Sequence, residues 1–310
     1  MKYIEVGIIA FVVSYILTPY LARVGKKQNM VDLPNHRKVH KEAIPNLGGI
    51  VIFFGFLLSL LFMVQIEEQV KTLLVGGVII LLLGIVDDIT DLFPKHKFII
   101  QMIPALIVLV YNSDLINSFI VNQLKSFDLL GYLLYPVLIF WVVGVTNSIN
   151  LIDGLDGLAC GVSIITLITF FILGWKQNFE TLNLISIALA GSMLAFLRFN
   201  FYPAKIFLGD SGSTFAGFML ASLGALWLLK SENAFFIFIP IIILALPIFD
   251  TLFAILRRYR GHQPIFQADK GHLHHRLLAR GISHKNVVFL LWGVSVACSI
   301  IALILAQNIK

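Results

Sequence analysis

Charge is the scarcest ingredient of this sequence. Only 13% of its 310 residues are Asp, Glu, Lys or Arg, against roughly 25% in soluble domains. A water-soluble globule with one anchor is excluded. Cysteine is rarer still. Cys160 and Cys298 lie within or beside apolar runs and form no disulfide framework and no metal-site spacing; both read as small packing residues. Alternating segments of the kind that build membrane barrels are missing. So are internal repeats, low-complexity tracts and a separable polar domain, and 1–310 reads as one transmembrane domain.

What remains is apolar text, 58% of the chain. Runs of roughly 17–25 apolar residues are candidate membrane spans. Ten are expected: 3–22, 47–64, 70–86, 98–111, 132–147, 157–174, 182–199, 213–229, 235–256 and 287–306. The fourth is short and contains Pro104; the ninth contains Pro240 and Pro247 and is expected to kink. The first is too long for a signal peptide, lacks a small-residue cleavage site and reads as a retained helix. The expected fold is all-α, a polytopic integral membrane protein, because helices satisfy their own backbone in lipid.

The net charge of +6 could suggest nucleic acid. Its distribution gives another reading. Loops 23–46, 87–97, 148–156, 198–212 and 257–285 hold seventeen of the 23 Lys and Arg, and the opposite set, with both termini, holds six. Basic loops stay in the cytoplasm. Both termini are then expected outside, and no nucleic-acid partner is expected.

Five polar clusters fall on the basic side. RKVHKEAIPNLGGI, 37–50, is a basic loop opening a helix. GIVDDITDLFPKHKFIIQ, 84–101, ends a span on Asp87, Asp88 and Asp91, followed by Lys95 and Lys97. Adjacent carboxylates at a membrane edge repel each other and tolerate burial only beside a cation. NSINLIDGLDGLA, 147–159, places Asn147, Asn150, Asp153 and Asp156 at three-residue steps. Capping would need one such residue, not four. FYPAKIFLGDSGST, 201–214, sets Asp210 among glycines and serines, either as a helix cap or as a metal carboxylate beside amides that face phosphate. It lacks the Lys-Ser/Thr ending of a P-loop. RRYRGHQPIFQADKGHLHHRLLARGISHKN, 257–286, is rich in His and Arg. Zinc would want companion Cys ligands; a cationic loop suits polyphosphate better. Carboxylates in three clusters and cations in the others match what a divalent ion and a diphosphate require.

The ordered motifs PNLGGI, VDDITD, NSINLIDGLDGLA, IFLGDSGS and HLHH resemble those of the polyprenyl-phosphate N-acetylhexosamine-1-phosphate transferases, over nearly the whole chain. These enzymes include the translocase that makes lipid I. The resemblance implies a cytoplasmic-face active site in the bacterial cytoplasmic membrane. The implied reaction joins a UDP-N-acetylhexosamine to polyprenyl phosphate and releases UMP, with Mg²⁺, or Mn²⁺ in its place. It implies Asp210 as metal carboxylate with Asn150 beside the metal. Asp87 and Asp88 match the family's paired aspartates, and which of them acts on the lipid phosphate stays open. Asn147, Asp153 and Asp156 fall on the substrate side, with Asp156 to read uracil and Phe207 to stack on it. Lys41 and Lys97 match phosphate-contacting positions. His272, His274 and His275 match the histidine motif. HLHHRLLARGISH is closer to the GlcNAc-1-phosphate transferases than to the translocase, so UDP-GlcNAc is the expected donor, with UDP-MurNAc-pentapeptide second and a UDP-GalNAc or modified-hexosamine donor open. A homodimer stays open. An ion-coupled transporter would place its acids near the midplane in paired repeats, and none is visible.

Overall fold

The structure is a computed structural model, and it describes residues 1–32, 43–63, 67–124, 129–231, 233–264 and 271–308. The chain begins with α1 (Lys2–Lys27), β1 (Val31–Asp32) and β2 (Ile44–Pro45). It continues through α2 (Gly48–Met63), α3 (Glu68–Thr90), α4 (Pro94–Tyr111), α5 (Ser113–Phe119), α6 (Leu129–Tyr132), α7 (Leu134–Ile152) and α8 (Leu158–Lys176). The last part is α9 (Glu180–Asn200), α10 (Gly209–Lys230), α11 (Phe238–Ile243), α12 (Ala245–Arg260), α13 (Leu273–Ala279) and α14 (His284–Asn308). Among the described residues the strands form one antiparallel ribbon, Val31 opposite Pro45.

Seven of these helices are long and apolar enough to cross a membrane, and nine spans result if each bent pair counts as one. This is a multi-pass helical membrane protein. Each of the ten expected runs falls on one of these pieces or on the shorter apolar helix α2. The expectation for the fourth run changes in detail, and the expected kink of the ninth is found. The fourth run extends past Tyr111 and turns by 69° there, leaving Pro104 inside a continuous helix. The ninth bends by 83° at Leu244, between its two prolines.

α10 is the hub. Every residue from Ser211 to Leu229 is buried, and α2, α3, α7 and α8 all pack on it. A helix apolar on all sides suits such a central place. α1 and α14 lie outside, with most of their surface left for lipid. Close approach of α3 to α10 needs a small residue, as in many membrane helix pairs. Gly84 supplies it: a Cβ there would stand 2.3 Å from Ser211 Cα. That contact brings the end of α3, with Asp87 and Asp88, against the start of α10, with Asp210. A backbone clip completes the corner. Phe207 N donates to Pro45 O at 2.8 Å, and Gly48 N to Phe207 O at 3.0 Å. PNLGG and FLGD therefore run side by side.

Candidate active site

The corner where the end of α3, the end of α7 and the start of α10 meet holds a cavity of about 410 Å³, the size of a small-ligand site. Asp210 is one of its walls. Asn150 Nδ2 donates to Asp210 Oδ1 at 2.7 Å and to Ser213 Oγ at 2.8 Å. Lys97 Nζ lies 3.2 Å from Asp210 Oδ2 and is also paired with Asp87. Asp87 faces Asp210 within hydrogen-bond reach, so Lys97 supplies the cation that two facing carboxylates need. Asp87 Oδ1 also accepts Leu92 N at 2.9 Å and fixes the turn after α3.

Asp88 is used differently. Its Oδ1 accepts Asn46 Nδ2 at 2.6 Å and Asp210 N at 2.8 Å, and its Oδ2 accepts Ser211 N at 3.0 Å. A carboxylate from α3 thus caps α10, whose first backbone N–H groups have no intrahelical partner.

The loop after α7 forms the opposite wall. Asp153, Gly154, Leu155 and Asp156 line the cavity with Phe207 and His275. Burial pushes the Asp153 carboxyl well above the usual carboxylate range, and the charges of Asp210, Asp88 and Asp156 push the same way. Asp156 Oδ2 accepts Ala204 N at 2.9 Å. Asn200 ties this loop to the next: its Oδ1 accepts Gly157 N at 3.1 Å and its Nδ2 donates to Ile206 O at 3.0 Å.

Comparison with known proteins gives this arrangement a family. The family model of glycosyl transferase family 4 matches residues 70–228, which include Asp87, Asp88, Lys97, Asn150 and Asp210. A Bacillus subtilis protein described as a probable undecaprenyl-phosphate N-acetylglucosaminyl 1-phosphate transferase is 43% identical over 303 residues, covering 96% of this chain and 84% of that one. The chain belongs to glycosyl transferase family 4. A Mycobacterium leprae decaprenyl-phosphate N-acetylglucosaminephosphotransferase is 32% identical, over 93% of this chain and 79% of its own. A Thermoanaerobacter pseudethanolicus phospho-N-acetylmuramoyl-pentapeptide-transferase is 30% identical, over 95% of each.

Within this family 4 chain, the residues singled out from sequence divide into groups. Asp87, Asp88, Asn150, Asp153, Asp156, Phe207, Asp210 and His275 line the cavity, and Lys97 reaches it through its two carboxylate partners. Asn147 is placed elsewhere: its Nδ2 donates to Gln101 Oε1 at 2.6 Å and to Val143 O at 2.7 Å, joining α7 to α4. His272 and His274 are buried behind His275. The rings of His274 and His275 sit 4.3 Å apart. Burial, helped by the neighbouring His275, pushes His274 down to about 3, so it is neutral at pH 7. Lys41 lies outside the described residues.

Asp32, Asn46 and Asn200 line the cavity and escaped the sequence reading, as did Asp250, which pairs with His272. Asn46 and Asn200 resemble ordinary loop polars, and only tertiary pairing distinguishes them. Asp250 carried a signal, an acid inside the apolar run IFDTLFAIL.

The donor set bears on a metal. Among the described residues, no group of three or more His, Cys, Asp and Glu is arranged to hold one. Mg²⁺ commonly takes one or two carboxylates, keeps water and shares the ligand's phosphates. Asp210, with Asn150 beside it and Asp87 facing it, fits that mode.

Gly154 offers a direct test of the wall. A Cβ there would stand 2.2 Å from His274 Nε2. Gly154→Ala is expected to push the Asp153–Asp156 loop from α13 and lower transferase turnover about tenfold, since misplacement near 1 Å is enough for large losses of rate. Initial rates would read it. An unchanged rate would mean the loop is not held by this contact.

Proposed function

We propose that this protein transfers GlcNAc-1-phosphate from UDP-GlcNAc to undecaprenyl or another polyprenyl phosphate, giving polyprenyl-diphospho-GlcNAc and UMP. The observation that supports it best is the Asp87–Lys97–Asp210–Asn150 cluster at a membrane-helix corner, in a chain 43% identical to a probable GlcNAc-1-phosphate transferase. The same distribution of basic loops supports ten spans, both termini outside and a cavity opening to the cytoplasm. There a soluble nucleotide sugar and a lipid phosphate would meet. The step would be the first membrane reaction of a cell-envelope glycan, of teichoic-acid or O-antigen type.

The lipid phosphate oxygen attacks the sugar-linked phosphorus. A new P–O bond forms, the P–O bond to UMP breaks, and UMP leaves with the bonding pair. The attacking phosphate is largely ionised at pH 7, so positioning outweighs proton removal. Lys97 neutralises charge between donor and acceptor. Asp153 and Asp156 hold the nucleotide side, and His275 faces the same space. Asp210 and Asn150 would hold Mg²⁺, which supplies Lewis-acid stabilisation of phosphoryl oxygens when bound.

Purified protein with undecaprenyl phosphate and Mg²⁺ should release UMP from UDP-GlcNAc, and EDTA should stop it. Turnover with UDP-MurNAc-pentapeptide alone would replace the donor, as relatives 30% identical use that name. Folded protein inert with every UDP-N-acetylhexosamine would sink the reading. Phe207→Ala should weaken UDP-GlcNAc binding about tenfold, the scale of one lost base–aromatic stack. Unchanged affinity in a titration would remove the stacking role.

A further inference from the structure

A carboxylate in a membrane helix needs a reason, because a buried ion pair is a weak source of stability and an apolar residue would serve the span better. Asp250 sits in α12, after the 83° bend. Its neighbours Phe249, Leu252 and Phe253 are half exposed or more, as lipid-facing residues should be. Asp250 turns the other way and is buried.

Both of its oxygens are committed. Asp250 Oδ2 lies 2.9 Å from His272 Nδ1, and Oδ1 accepts Leu273 N at 2.8 Å. The partner side chains are equally hidden, each 7% exposed. A carboxylate at Nδ1 favours the tautomer with its proton there and fixes the ring plane. The second bond seats the start of α13. From there the contacts run towards the cavity. The rings of His272 and His274 are parallel at 5.9 Å. His274 abuts Gly154 of the Asp153–Asp156 loop. His275, the next residue, lines the cavity.

We propose that Asp250 is a positioning residue for the transferase reaction. Through His272 it sets the height and rotation of α13, so that His275 faces the donor and His274 buttresses the loop that holds the nucleotide. The inference rests on the cavity being the donor site.

Asp250→Asn keeps the shape and one acceptor but loses the charge. In purified protein with an unchanged melting midpoint, KM for UDP-GlcNAc should rise about fivefold, as loss of positioning predicts, while KM for undecaprenyl phosphate stays the same. Partial misfolding would lower kcat and leave both KM values alone. In a His272→Ala background, Asp250→Asn should add nothing, since residues acting in series are non-additive. Independent, additive losses would overturn the proposal, as would unchanged kinetics. If Asp250→Asn does not purify folded, His272→Ala alone must show the same KM split, and its absence overturns the proposal. Wild-type protein that neither turns over nor binds a uridine nucleotide would instead bring down the functional reading, and this role with it.

Discussion

Asp210→Asn should lower turnover by about three orders of magnitude while the protein still inserts and purifies normally. The substitution keeps the shape of the side chain and can still accept from Asn150 through its remaining oxygen. It removes one carboxylate charge from the cavity. It also turns an amide N–H₂ towards Lys97, replacing an ion pair at 3.2 Å by two donors facing each other. Lys97 would then lean on Asp87 alone. Charge stabilisation by a bound cation is worth several kcal/mol, and about 4 kcal/mol corresponds to roughly 10³ in rate. Initial rates of UMP release at saturating substrates would measure it, with a size-exclusion profile as the folding control. Substantial Mg²⁺-dependent turnover in the variant would remove Asp210 as an essential ligand.

Asp210 stayed open between a helix cap and a metal carboxylate until the family resemblance pointed to the second, whereas the paired acids ending α3 stood out in the sequence because acids are expensive beside lipid and need a partner there. The same reasoning found the helices: apolar runs of membrane length leave few alternatives. What composition could not supply was direction. Asn147 and Asn150 are three residues apart, and at about 100° per residue they point about 60° apart around α7. Because α7 packs against both α4 and α10, that angle sends Asn147 to Gln101 and Asn150 to Asp210. The histidines illustrate the same limit. Their motif was legible, but which ring lines the cavity depends on how α13 is seated, and Asp250 holds that seat from a different helix. Pairings across long sequence separation, such as Asn46 with Asp88, leave no local pattern to read.

The paired aspartates were the sharpest ambiguity, and their hydrogen bonds separate them. Asp87 faces Lys97 and Asp210, where a reacting phosphate would be neutralised. Asp88 spends its oxygens on Asn46 and on the backbone of Asp210 and Ser211. Asp88→Asn should therefore act by displacing Asp210. The variant has one acceptor oxygen, so its N–H₂ must face either the Ser211 N–H or the donors on the other side. A buried donor left unsatisfied costs about 1–3 kcal/mol, and the start of α10 should shift to relieve it. The expected loss in turnover is about a hundredfold, smaller than for Asp210→Asn. The decisive reading is the metal dependence. A displaced Asp210 should raise the Mg²⁺ concentration needed for half-maximal rate, whereas loss of a group acting on the lipid phosphate should lower the rate and leave that concentration unchanged. An unaltered Mg²⁺ requirement with a large rate loss would assign Asp88 to the acceptor instead.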